Sequence, residues 1–289
     1  MSVRQLNNLL RMVRLARGEA LPSLDTVRSS MDRMGELFAP GPEVAVEPLQ
    51  LKDGLTAERL RPELIEGPEV LLCVHGGGFG AGSCLSHRGL YARLARAARR
   101  EAVSVGYRLA PEAPFPAARD DVLAVMDRVL NERPWLAAGD SAGANLLLCS
   151  VLERVGRDCS GPERLLLMSP WVDLTSTAAS FDERDDPMVS REGVLRMANH
   201  YANGRELDDP KLSPLFAQLA GLPPTLIQVG EREALYDDSE RLTAALREAG
   251  VSAQLDVWPD MVHVFQQFAG RVDEGQHAIE RAGEFLHGS

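Results

Sequence analysis

The chain has 289 residues, 45% hydrophobic and 25% charged, which suits a soluble globular protein able to bury a full core without disulfide or metal staples. Its 31 basic against 42 acidic residues give a net charge of −11, which argues against nucleic acid and anionic membrane surfaces as partners. No apolar run reaches the ~20 residues of a bilayer span, and no secretory signal is read, so a reducing cytoplasm without membrane insertion is expected.

Residues 1–17 carry Leu6, Leu9, Leu10, Val13 and Leu15 interrupted by Arg4, Arg11 and Arg14, the pattern of an amphipathic helix. A second helix carries Leu24, Val27, Met31, Met34 and Phe38 on one stripe, which must pack on something later in the chain. Residues 1–40 thus read as helices over a pocket, and Ala39-Pro40-Gly41-Pro42 opens the main domain, 41–289. Strands are expected over 44–51 and 55–61, joined by a turn at Lys52-Asp53-Gly54. Residues 69–74 form a continuous apolar run, as a central parallel strand requires. A helix near 86–99, a strand over 102–107 and a helix near 117–131 follow. Arg93, Arg96, Arg99 and Arg100 read as the solvated face of the first of these helices. Of the four cysteines, Cys73 falls in a strand and Cys149 in a helix, both as buried thiols; Cys84 and Cys159 complete the set, and none has metal-ligand spacing.

The strand at 134–138, the turn Gly139-Asp140-Ser141-Ala142-Gly143 and the helix from Ala144 form a G-x-S-x-G between strand and helix. A strand over 164–168 follows. Residues 176–210 break the rhythm with Glu183, Asp185 and Asp186 and a helix over 190–201, and read as a second covering segment. Strand 225–229, helix 237–249, strand 253–258 and a helix near 274–286 close the chain. Alternating strands and helices predict an α/β fold with a doubly wound, mostly parallel sheet, and every motif here falls at the carboxyl end of a strand, where such sheets bind ligands.

A serine hydroxyl needs a base to take its proton and a fixed group to orient that base. Of six histidines, His75 sits in a glycine loop, His87 opens a helix, His200 lies in the covering segment, and His277 and His287 lie in the last helix. His263 alone follows a strand at the edge that carries Ser141, which makes it the candidate base. The acid should lie between the two. Strand 225–229 runs into Gly230-Glu231-Arg232-Glu233-Ala234-Leu235-Tyr236-Asp237-Asp238, where Asp237 and Asp238 read as the cap and first turn of the next helix. Between Glu231 and Glu233 the residues alone do not choose. His75-Gly76-Gly77-Gly78-Phe79 follows the central strand, and its glycines let backbone amides point into a cavity, with the Ala142 amide as a further donor for an oxyanion. The loop lacks the G-x-G-x-x-G spacing, with its following ribose-binding acid, of a dinucleotide site, and no Gly-Lys-Ser or Gly-Lys-Thr occurs.

These residues resemble the hormone-sensitive-lipase family of α/β-hydrolases, in particular its bacterial esterases. The matching stretches are His75 to Phe79, Tyr107-Arg108-Leu109-Ala110-Pro111-Glu112 with Phe115-Pro116-Ala117, Gly139 to Gly143, Ser169-Pro170-Trp171, Ser213-Pro214-Leu215, Leu222-Pro223-Pro224 and His263-Val264-Phe265. The resemblance implies an eight-stranded α/β-hydrolase sheet with a helical cap made by 1–40 and 176–210. It implies Ser141 as nucleophile, His263 as base, and Gly77, Gly78 and Ala142 as the oxyanion hole. It places the acid at Glu233, where many members have Asp, with Glu231 and Asp238 as the alternatives. The implied activity is hydrolysis of short- to medium-chain carboxylic esters, with no cofactor or metal. Phe79, Met31, Met34, Phe38, Met188 and Leu195 are the candidate pocket residues, with Met197 beside them. A homodimer along the last strand is a further expectation. Two other readings use the same frame: a small-ligand receptor on a hydrolase fold, and an amidase or deacetylase with the same triad.

Overall fold

The computed structural model describes residues 3–17, 21–39, 43–51, 54–130, 133–157 and 159–288. Two helices lead, α1 (Val3–Arg17) and α2 (Leu24–Leu37), with Ser23 capping α2 through a bond from the Thr26 amide. Then come β1 (Val44–Gln50) and β2 (Thr56–Pro62), paired antiparallel with Gln50 opposite Thr56. Of the turn expected at 52–54 and the break at 39–42, residues 52–53 and 40–42 lie outside the described residues. The alternating part follows as β3 (Val70–Val74), α3 (Cys84–Ala98), β4 (Glu101–Gly106), α4 (Ala117–Val125, extended by a wider turn to Leu130), β5 (Trp135–Asp140), α5 (Ser141–Val155) and β6 (Leu165–Met168). The segment after β6 holds the short α6 (Ser180–Glu183) and α7 (Arg191–Ala202). The chain ends with β7 (Thr225–Gly230), α8 (Tyr236–Glu248), β8 (Ala253–Trp258) and α9 (Asp273–His287).

Among the described residues these strands make one eight-stranded sheet in the order β1-β2-β4-β3-β5-β6-β7-β8. Pairings from β4 to β8 are parallel, and β2 meets both β1 and β4 antiparallel. The parallel part explains the unbroken apolar run of β3, because helices cover both its faces. Leu71 and Cys73 point to the layer of α3 and α9, with Leu90, Leu94, Ile279 and Phe285. Leu72 and Val74 point the other way, to Val122 of α4, Leu147 of α5 and Leu242 of α8. Each fully buried Leu or Val contributes about 1.5–3 kcal/mol, so these two layers, not the peripheral hairpin, hold the sheet rigid beneath the motif-bearing loops.

Two local expectations are corrected. The arginine row is not a solvated face throughout: Arg96 and Arg99 are exposed, but Arg100 is buried against Glu69 at 2.8 Å, and half-buried Arg93 donates to the carbonyls of Phe38 and Gly89. The guanidiniums are long enough to reach carbonyls and a carboxylate that the spacing alone does not reveal. Asp238 does lie in the first turn of α8, yet it does not serve that helix's amides; its carboxylate accepts from the amides of Val172 and Asp173 at 2.9 and 3.0 Å. Cys73, Cys84 and Cys149 are buried and Cys159 is exposed. No helix among the described residues is long and apolar enough to cross a membrane.

Candidate active site

The site is built where β3, β5, β7 and β8 end. β5 is wholly buried and runs straight into α5, so the chain reverses direction at Ser141, whose φ is +51. A side chain in this left-handed region is strained, and the turn is held only because strand and helix are both anchored in the core. Gly143 is required by close approach, since a Cβ there would collide with the carbonyls of Val74 and His75. The turn leaves Ser141 8% exposed at the mouth of the sheet.

His263 is carried by the loop after β8. Its Nε2 lies 3.0 Å from Ser141 Oγ and its Nδ1 lies 2.9 Å from Glu233 Oε2. Glu233 is fully buried on the loop after β7, and its other oxygen accepts from the Gly230 amide at 2.6 Å and the Ser169 hydroxyl at 2.8 Å. Ser169 Oγ in turn accepts from the Val264 amide at 3.1 Å, so one hydroxyl joins the loop of the carboxylate to the loop of the imidazole. The structure therefore brings Ser141, His263 and Glu233 into one hydrogen-bonded row. Glu231 points outward and accepts from the Asp260 amide, and Asp238 lies under Val172 and Asp173, so neither meets His263.

Burial works to lower the His263 pKa, but the hydrogen bond and charge of Glu233, with the charges of Asp186 and Asp140, outweigh it and the net shift is upward. Burial lifts Glu233 above the ordinary carboxylate range, against the opposing pull of His263 and the Gly230 amide.

The glycine loop touches the serine from the β3 side. A Cβ on Gly76 would lie 3.1 Å from Ser141 Cβ, and Gly77 and Gly78 take φ of +114 and +62, which only glycine adopts without strain. The Gly77 carbonyl accepts from the Ala81 amide at 2.9 Å, which holds the loop's bend. Asp140 ties this loop to the serine turn: its carboxylate accepts from the Gly76 amide at 3.2 Å and lies 3.2 Å from His87 Nε2 and 2.6 Å from the Tyr91 hydroxyl. Burial would raise the Asp140 pKa, but His87, Tyr91 and His75 bring it below the ordinary range. Burial pushes His75 down to about 3, so that ring stays neutral, stacked on Tyr107 at 4.2 Å.

The pocket candidates are scattered. Phe79 is buried, stacked on Tyr201 at 4.0 Å and beside Trp171. Met34 and Phe38 pack against the cluster of Leu6, Val262, Phe265 and Phe268, under the His263 loop. Met31 and Leu195 are half-buried, and Met188 is 43% exposed. Met197 instead sits on the glycine loop, 3.0 Å from the Cβ position of Gly78, with Leu24 beside Gly80. Sequence reading assigned no role to Ser169 and Asp186, which bind the loops that carry the row, or to Arg28, which binds the carbonyls of Gly80 and Ala110 beside the glycine loop. Ser169 stands in a motif that the sequence did show; Asp186 and Arg28 carry no local signature. No group of three or more metal-ligating side chains is found among the described residues.

The comparisons with known proteins agree with the fold. A family model described as the alpha/beta hydrolase fold matches residues 71–267. An esterase of Acinetobacter venetianus is 34% identical over 268 residues, covering 90% of this chain and 88% of its own. An acetyl-hydrolase of Streptomyces hygroscopicus is 37% identical over 271 residues with the same coverage. A crystal structure of an esterase from the bacterial hormone-sensitive lipase family superposes with a TM-score of 0.92 at 35% identity, over 99% of this chain and 98% of that one.

Proposed function

This chain belongs to the α/β-hydrolase family, among its bacterial hormone-sensitive-lipase esterases, and from that premise we propose that it cleaves carboxylic esters with Ser141 as nucleophile, His263 as general base and Glu233 as the acid that orients the base. The observation that carries this reading is the continuous row from Ser141 Oγ through the imidazole to the buried carboxylate. His263 takes the serine proton as Oγ attacks the ester carbonyl, and Glu233 stabilises the imidazolium that forms. The carbonyl oxygen becomes an oxyanion against the amides of Gly77, Gly78 and Ala142, each such donor being worth about a hundred- to a thousandfold in rate. The tetrahedral species collapses, the alcohol leaves with the proton from His263, and water releases the acyl group by the same steps.

The acyl pocket is short. Met197 lies 3.0 Å from where a Cβ on Gly78 would stand and Leu24 3.5 Å from that on Gly80, which supports a short pocket beside the oxyanion loop. The acetyl-hydrolase named among the relatives supports the same size class. The covering role expected of residues 1–40 and 176–210 is part of this proposal. The test is turnover of p-nitrophenyl esters from acetate to palmitate, with Ser141→Ala beside the wild type. An optimum at acetate to hexanoate, lost in the variant, is expected; an optimum at palmitate sinks the short pocket, and full turnover by Ser141→Ala sinks the nucleophile.

A further inference from the structure

The loop that carries Glu233 is held from a second side. Residues 180–189 run along residues 231–237 and bind them repeatedly. The Ser180 hydroxyl donates to the Ala234 carbonyl at 2.6 Å, and the Ser180 amide donates to Asp237 at 2.9 Å. Arg184 donates to the Glu231 carbonyl, and Arg232 donates to the carbonyl and carboxylate of Asp185 at 3.1 and 3.0 Å. In the middle of this seam is Asp186, 3% exposed. One of its oxygens accepts from the amides of Met188 and Val189 at 2.8 and 3.1 Å; the other accepts from the amide of Ala234 at 2.9 Å, directly after Glu233 in the chain.

We propose that Asp186 is a second positioning carboxylate of the reaction, which fixes the backbone beside Glu233 and adds its charge to the one that steadies His263. The argument is geometric first. A carboxylate accepting three amides is costly to bury and is held in one place, so the amide it takes from Ala234 fixes where Glu233 begins. The electrostatics follow from that placement. The charge of Asp186 raises both His263 and Glu233, favouring imidazolium on one side and repelling the buried acid on the other. The other charged groups at this corner are Asp140 beneath the serine, Asp185 with Arg11 and Arg232, Arg184 over Tyr236, exposed Glu231, and Asp237. Glu233 acts most strongly to raise His263, followed by Asp186 and then Asp140. Asp186 thus couples the covering segment to the base, although it touches neither substrate nor serine.

This inference rests on the Ser141–His263–Glu233 reading, and the test separates the two. The variants are Asp186→Asn, Asp186→Ser, Asp186→Glu and Ser180→Ala, compared with wild type by thermal melting and by the pH dependence of kcat/KM and kcat on p-nitrophenyl acetate. Ser141→Ala checks the underlying reading on its own. Removing the charge lowers the His263 pKa, so the acidic limb of kcat/KM moves to lower pH, by about half a unit to one unit in Asp186→Asn and Asp186→Ser. Plateau kcat falls about tenfold with KM within about threefold. Asp186→Glu keeps the limb near wild type, and Ser180→Ala lowers the melting temperature with the limb unmoved. An unmoved limb in a folded neutral variant overturns the proposal, as does a limb that moves equally in Asp186→Glu. If neither neutral variant folds, Asp186 is a stability element alone and the proposal falls as well.

Discussion

The carboxyl edge of the sheet and the segments that lie over it combine apolar burial and directional bonds in different proportions. Ser141 and Glu233 stand at the ends of wholly buried strands, and His263 follows the half-exposed β8 on a loop anchored by buried Met261, Val262 and Phe265, so their positions are set by apolar packing. Residues 21–39 and 180–202 bury a smaller apolar set, Ala198, Tyr201 and Ala202 against the main core and Met34 and Phe38 against the His263 loop, and add polar side-chain bonds to it. Arg28 of α2 donates to the carbonyls of Gly80 and Ala110 at 2.8 and 3.1 Å and pairs with Glu112. Asp32 accepts from Ser83, Arg196 of α7 donates to the Pro22 carbonyl at 2.9 Å, and Asp186 takes the Ala234 amide. Apolar burial dominates beneath the edge, while above it directional bonds add to a smaller apolar contact and reach the two loops that matter most, that of the glycines and that of the acid. Substitutions beneath the sheet edge should therefore cost stability, and substitutions above it should cost turnover.

The largest effect is expected inside the row. Glu233→Gln keeps the shape but removes the charge that stabilises imidazolium, and kcat should fall about a thousand- to ten-thousandfold with the melting temperature within a few degrees of wild type. A loss under tenfold, measured on p-nitrophenyl acetate, moves the acid elsewhere. On the core side, Leu72→Ala removes a fully buried side chain and should cost about 2–5 kcal/mol in urea unfolding, with kcat per folded molecule nearly unchanged. The opposite pattern would break the division between the two regions.

Above the edge, Arg28→Ala should lower kcat/KM about tenfold, because two carbonyls of the loops around the oxyanion site lose a charged donor. Glu112→Gln should stay within about twofold, since Glu112 is mostly exposed and such pairs contribute about 0–1 kcal/mol. Equal losses would mean that the ion pair, not the carbonyl bonds, holds α2 in place.

The smallest effect sharpens the account of burial. Burial pushes Asp238 up to about 7, and one of its oxygens has no hydrogen-bond partner. A carboxyl whose pKa is raised in the folded state favours folding below its unfolded pKa and loses that contribution as pH rises through its folded pKa. The melting temperature of wild type relative to Asp238→Asn should therefore decline from about pH 4 to pH 7 by a few degrees. A flat difference would contradict the assignment.

Much of this division can be read in the sequence, and unevenly. The apolar runs and the glycines around Ser141 reveal the sheet, because periodicity and steric crowding are local properties. The base was found by elimination among six histidines. The acid needed the family pattern, since Glu231 and Glu233 look alike until the loop after β7 turns one inward. Asp186, Ser169 and Arg28 were not legible as positioning groups, because each acts on residues 48 to 95 positions away that only the folded chain brings near. The arginine row failed for the same reason: nothing in its spacing tells that Arg100 faces Glu69 inside the protein.

The most direct test of the central claim is reaction with diethyl p-nitrophenyl phosphate, an acylation mimic, followed by peptide mapping. The account predicts one label per chain on the peptide containing Ser141, with activity lost in step and no labelling in Ser141→Ala. A label on another residue, or an active enzyme with Ser141 fully modified, would contradict it.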